Sequence, residues 1–189
     1  PGTIDDLKAM EYELVDYLGF EKPTEKTYAE WQKHYGLAED YEMTAEEEGK
    51  MFDEFTTTLI TDFPEFTSPF WNMSRYEDGV HSKKIDVILG GMETIGSAER
   101  STDVDMMRDT FHTITDGEYS QLLYKLFGKE RVEAELEKFL EFDFFERVGG
   151  GIGMTRMIAA LETLDNDVQV ANGAIAQANQ KGLDLHGWK

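Results

Sequence analysis

Gly149-Gly150-Gly151-Ile152-Gly153-Met154-Thr155-Arg156 is a glycine run that ends on an arginine at the mouth of an apolar helical stretch, Met154–Leu164. Backbone amides with no side chain in front of them can approach an anion closely, and a helix start favours negative charge there. The run lacks the Lys-Ser/Thr ending of a phosphate loop and the spacing of a dinucleotide fingerprint. A glycine run alone is as often a tight turn or a close helix–sheet contact. Arg156, three residues past Gly153, adds a guanidinium suited to phosphate and to stacking on a base. Taken singly it reads equally well as a surface arginine.

Upstream lie groups that could face this stretch. Asp86 and Glu93 are seven residues apart with Gly90-Gly91 between them, so a hairpin would set them on adjacent strands converging on one cation. Hard carboxylate oxygens of this kind suit magnesium bridging phosphates. Arg100, seven past Glu93, could receive the carboxylate of a small substrate through two parallel hydrogen bonds. In a chain with 39 acidic residues, two acids at this spacing also occur without purpose. His34, His81, His112 and His186 show no metal-ligand spacing, and no Ser-His-Asp or Cys-His arrangement is evident. Phe63, Phe66, Phe70 and Trp71 read as core or loop anchors, or as a wall of a substrate pocket.

Working outward, residues 2–18 carry Ile4, Leu7, Met10, Leu14 and Leu18 at helical spacing behind a capping Thr3. Lys22 to Asp40 is mixed, with a short helix around Tyr28–Tyr35. Thr44-Ala45-Glu46-Glu47 predicts an N-cap with acids in the first turn, opening a helix to about Phe55. Four β-branched or aromatic runs follow: Thr57–Phe63, Phe70–Arg75, Lys83–Leu89 and Glu93–Ala98. Glu77-Asp78-Gly79 fits a hairpin turn. Helical texture returns at Asp103–His112, Gly117–Phe127 and Arg131–Phe144, before the glycine run, the apolar helix and a tail with room for one more helix. Strands grouped between helices predict an α+β fold, an antiparallel sheet flanked by helices, in one domain over residues 1–189.

Composition limits the function classes. The 189 residues carry 39 acids against 18 bases, a formal charge of −21. Such a field repels phosphate backbones and argues against broad nucleic-acid contact, although a local positive pocket can persist inside it. A solvated acidic surface is the ordinary reading of the charge. With no cysteine, disulfides and thiolate metal sites are excluded, which is compatible with a reducing cytoplasm. No run of 18 apolar residues predicts a membrane span, and no secretory leader is apparent; we expect a cytoplasmic protein. The chain begins with Pro1, as a piece of something longer would.

Several segments together resemble a known family. Thr61-Asp62-Phe63-Pro64 followed by Ser68-Pro69-Phe70-Trp71-Asn72-Met73-Ser74-Arg75 is similar to a segment of asparaginyl-tRNA synthetases. Asp86 through Glu93, then Ile95-Gly96-Ser97-Ala98-Glu99-Arg100, resembles the next strand pair of the aspartyl/asparaginyl class II synthetases. Gly149–Arg156 resembles their motif 3, and its glycine triplet is closer still to ammonia-dependent asparagine synthetase, as, weakly, is Val168-Gln169-Val170. The resemblance covers about residues 28–165.

It implies a class II synthetase-like core that uses ATP and Mg2+. Asp86 and Glu93 would bind the metal and the ATP phosphates. Arg156, with Gly151 and Gly153, would hold the nucleotide. Arg100 would hold aspartate or asparagine, with Ser97 lining the amino-acid pocket. The implied reaction is an aminoacyl-adenylate ligase step, with tRNA or ammonia as acceptor; a non-catalytic paralogue that binds nucleotide or amino acid is the other alternative. Motifs 1 and 2 are not found, so the chain reads as the C-terminal part of a catalytic core. The complete form would be a homodimer, or a partner chain would supply the missing motifs.

Overall fold

The computed structural model describes residues 2–164. Val168-Gln169-Val170 and the helix expected in the tail lie outside the described residues.

Helix α1 (Ile4–Tyr17) starts where expected, at Thr3, whose side chain and Asp6 form a reciprocal capping box. A short strand β1 (Thr24–Thr27) runs directly into α2 (Tyr28–His34), capped by Thr27, and Thr44 caps α3 (Ala45–Phe55). Strands β2 (Thr57–Pro64), β3 (His81–Leu89) and β4 (Met92–Arg100) follow. Helices α4 (Val104–Thr113), α5 (Glu118–Phe127) and α6 (Lys129–Leu140) come next, then β5 (Arg147–Ile152) and a helix α7 over 154–164.

The five strands form one sheet in the order β1-β2-β3-β4-β5. Four of them are antiparallel neighbours as expected, but β1 pairs with β2 in parallel, so the sheet is mixed. Strand β1 was not expected, because Thr24-Glu25-Lys26-Thr27 is too short and too polar to show alternation. Phe70–Arg75 is not a ladder strand either. Its backbone pairs with the sheet at the single bridges Met73–Arg100 and Arg75–Ser82, and Trp71 turns away into a cluster with Met107, Phe111, Val132 and Leu136 of α4 and α6. The turn at Glu77-Asp78-Gly79 is present, with Gly79 at φ +69°.

The sheet has two differently covered faces. On one, Leu7 and Val15 of α1 and Met157 and Ala160 of α7 pack on Leu59, Ile85, Val87, Leu89 and Ile95. Each fully buried aliphatic side chain there contributes about 1.5–3 kcal/mol. On the other, Trp31 of α2 and Met51 of α3 pack on Ile60, Phe63 and Ile88. That second cover lies over β2 and β3. Further along the same face, Gly96 of β4 pairs with Gly151 of β5, and Gly151 is exposed.

Candidate functional site

The glycine run is a strand, not the amide-lined loop that the sequence predicts. Gly149, Gly150 and Gly151 pair with Ala98, Ser97 and Gly96. A Cβ at Gly150 would lie 2.7 Å from the carbonyl oxygen of Gly96 and 2.6 Å from Ser97 Cβ, closer than side chains tolerate. A Cβ at Gly151 would meet nothing within 4 Å. Glycine is therefore needed at 150 for the strands to approach, whereas at 151 it leaves the surface bare. Gly153 follows the strand, its N–H donating to Thr94 O (2.9 Å), and α7 begins at once.

Asp86 and Glu93 do converge. Asp86 pairs with Gly96 across β3 and β4, and the Cβ that Gly96 lacks would sit 2.5 Å from Glu93 Oε1 and 3.4 Å from Asp86 Oδ1. Both carboxylates thus lean over the same glycine. Asp86 is only 5% exposed; its Oδ2 accepts from Lys84 Nζ, while Oδ1 has no hydrogen-bond partner. Burial pushes its carboxyl up to about 6, against the pull of the Lys84 ammonium. Lys84 in turn lies over the Phe63 ring, 3.7 Å from its centroid. A cavity of 160 Å³ adjoins the pair, lined by Tyr28, Glu48, Phe63, Lys84, Asp86 and Glu93 among others.

The donor set fits a hard divalent cation, since a buried carboxylate oxygen without a partner faces a second carboxylate. Among the described residues no group of three or more His, Asp or Glu side chains could cage a metal alone. A cation here would need further oxygens from a ligand.

Arg100 stands at the far end of the same face. Its Nη2 donates to Gly149 O (3.0 Å) and its Nη1 to Asn72 Oδ1 (3.1 Å). Among the described residues it forms no ion pair with an acid. Burial and the charge of Arg147 lower its pKa. Four residues of extended strand separate Gly96 from Arg100, about 13 Å. On that face between them lie Gly96, Gly149 and Gly151, which carry no side chain, and Ala98, which is fully buried, with acids at one end and a guanidinium at the other. Arg156 is exposed and close to the acid end, where its Nη1 donates to the carbonyl oxygen of Glu93 (2.7 Å).

Ser97 is not part of this surface. It points to the opposite face, buried, where its hydroxyl donates to Glu11 Oε1 of α1. Two contributors were missed: Asn72, which holds Arg100, and Glu48 of α3, whose Oε2 accepts from the Glu93 N–H (2.9 Å). Asn72 lies in the Ser68–Arg75 segment that resembles the family, and Glu48 carries no signal distinguishing it from its acidic neighbours.

A family model for class II tRNA synthetases (D, K and N) matches residues 5–171. The chain belongs to this class II tRNA synthetase family. Among solved structures, this class II chain is similar to asparaginyl-tRNA synthetase from Pyrococcus horikoshii complexed with asparaginyl-adenylate, at 17% identity and a TM-score of 0.66 over 87% of the chain. It is also similar to the asparaginyl-tRNA synthetase of Entamoeba histolytica in complex with asparaginyl-adenylate (18% identity, TM-score 0.57, 84% of the chain). The aspartyl-tRNA synthetase of the same organism aligns at 18% identity and a TM-score of 0.56 over 74% of the chain. At such identities the likeness is one of fold: a five-stranded, mostly antiparallel sheet with flanking helices, the class II synthetase core. The chain spans 42%, 38% and 29% of those three structures' own chains, less than half of each. No curated protein matches the sequence.

Proposed function

We propose that this chain is the C-terminal part of a class II catalytic core that activates aspartate or asparagine with ATP, giving an aminoacyl-adenylate and pyrophosphate. The observation that carries the reading is the glycine-floored strip between the Asp86–Glu93 pair and Arg100. It offers one end for phosphate with its metal and the other for a carboxylate. Two of the similar solved structures are complexes with asparaginyl-adenylate, which joins a phosphate to an amino acid whose far end is a side-chain amide, and an amide oxygen can accept from a guanidinium as a carboxylate does.

In this reading Arg100, which donates to Asn72 Oδ1 and Gly149 O, binds the non-reacting carboxylate of aspartate, or the corresponding amide end of asparagine, and orients the amino acid along the strip. Arg156 binds the nucleotide at the acid end. Asp86 and Glu93 would hold Mg2+, which when bound supplies charge neutralisation for the phosphates. An oxygen of the substrate's reacting carboxylate, the one at the acid end of the strip, attacks the α-phosphorus in line; the new O–P bond forms as the bond to the bridging oxygen breaks, and pyrophosphate leaves with its electrons. No protein nucleophile or base is required, because the attacking carboxylate is already ionised, so the chain contributes position and charge.

Two acceptors for the activated acyl group fit the chain differently. A net charge of −21 weighs against a tRNA phosphate backbone contacting this part, and favours ammonia as the acceptor. Pyrophosphate exchange into ATP is measured with aspartate and with asparagine, on this chain and on any longer natural form. Exchange with asparagine points to aminoacylation of tRNA. Exchange with aspartate leads to a direct comparison of ammonia with tRNA. Silence from every combination would overturn the activation reading and leave a binding paralogue.

A further inference from the structure

Glu93 sits where the β3–β4 ladder shifts register: Val87 pairs with Ile95, but the next residue, Ile88, pairs with Glu93, leaving Thr94 as the extra residue. A bulge disturbs the ladder's hydrogen bonds, and backbone groups left there must find other partners. Those of Glu93 find charged ones. Its N–H donates to Glu48 Oε2 of α3 at 2.9 Å, and its C=O accepts from Arg156 Nη1 of α7 at 2.7 Å. The residue is clamped by an anion on one side and a cation on the other, both delivered by helices. Its own carboxylate is thereby left free to lean over Gly96 beside Asp86.

We propose that Glu48 is a positioning residue for the phosphate end of the site, holding the Glu93 backbone at the bulge so that the Glu93 carboxylate stays aligned with that of Asp86. The proposal rests on the reading of this site as one for a metal-bound nucleotide. In this role Glu48 acts through the Glu93 N–H, although it also lines the adjoining cavity. What matters is therefore an acceptor oxygen at the right reach, not the negative charge. An arginine that leaves the Glu93 carbonyl for a phosphate oxygen makes the Glu48 contact the remaining charged hold on the Glu93 backbone, and so most important when nucleotide is bound.

Two variants separate reach from charge. Glu48→Gln keeps an oxygen acceptor at the same length and loses the charge; Glu48→Asp keeps the charge and is one methylene short. The affinity for Mn2+·ATP is measured by electron paramagnetic resonance on the full chain, and the hydrogen-exchange rate of the Glu93 amide by NMR. We expect Glu48→Gln to bind like the unaltered chain, within about twofold. Glu48→Asp should bind roughly tenfold more weakly, the usual size of an outer-shell effect on a metal site, with faster exchange at the Glu93 amide. The reverse pattern overturns the proposal by assigning Glu48 to charge. Equal weakening in both variants overturns it in the same way, and unchanged affinity in both overturns it outright. If the unaltered chain binds no Mn2+·ATP, the functional reading itself fails and takes the proposal with it, even where the amide data show the clamp intact.

Discussion

A buried carboxylic acid lies against each face of the β3–β4 hairpin, Glu11 from α1 on one and Asp86 of β3 on the other, and their fates differ. On the α1 side, Glu11 is 2% exposed, accepts from the Ser97 hydroxyl and has its second oxygen without a partner; burial pushes its pKa up to about 7. On the other side Asp86, also raised by burial to about 6, meets an ammonium and leans with Glu93 over a bare glycine, beside a cavity. The negative charge of Asp86 acts on Glu11 through the sheet and raises it further. One face treats its acid as a core group best kept neutral. The other surrounds its acid with groups that make the charged form useful. Burial sets both pKa values, and the neighbours decide which acid can serve a ligand.

The largest way to break this contrast is at the glycines. Gly150→Val places its side chain against the Gly96 carbonyl and should cost about 3 kcal/mol in a urea-denaturation midpoint analysis. Next comes pH. Glu11 and Asp86 both have folded pKa values above their unfolded ones, so their contribution to stability is full below about pH 4 and is lost as pH rises through about 6 to 7. Glu11→Gln should flatten that decline by roughly 2–3 kcal/mol between pH 4.5 and 7.5, measured as the change in denaturation free energy across the range; an unchanged slope would mean that Glu11 is not the buried acid responsible.

Arg156→Ala should weaken ATP binding by about 1.5–3 kcal/mol with the fold retained, the range for a hydrogen bond to a charged group. Calorimetry with unchanged nucleotide affinity would remove Arg156 from the site. Arg100→Leu should leave ATP affinity in place and lose the amino acid; normal binding of both would make the substrate end of the strip wrong. The smallest effect on the fold is expected from Gly151→Ala, within about 0.5 kcal/mol in stability, because nothing lies within 4 Å of the added methyl. Nucleotide affinity should nevertheless fall, since the methyl stands on the floor.

The helices with caps were readable because each cap is a local statement: Thr3, Thr44 and Asp103 all stand at the helix starts. Helix α6 ends at Leu140 rather than running to Phe144. The hairpin was readable from Gly90-Gly91, both at positive φ. Sidedness was not. Seven is an odd spacing, and on a regular strand Glu93 and Arg100 would point to opposite faces. The extra residue at Thr94 restores them to one face, and no composition cue in Glu93-Thr94-Ile95 marks a bulge. Ser97 shows the same limit in reverse: it is next to Gly96 in sequence and on the other side of the sheet in space. The glycine triplet misled for a different reason. Glycine has poor strand propensity, and only the approach of β4 explains why these residues extend.

Helix α1 has a consequence for how the chain assembles. It is tied to β4 by Glu11 to Ser97, 86 positions away, and by the Ile4 N–H to Glu99, 95 positions away. At a synthesis rate of about 5–20 residues per second, the first of these gaps is about 4–17 s. Through that interval Leu7 and Val15 have no β4 to complete their seat. Contacts this distant in sequence also slow a fold, since the loop must close before they reward it. The first of the described helices to be synthesised is thus among the last to settle.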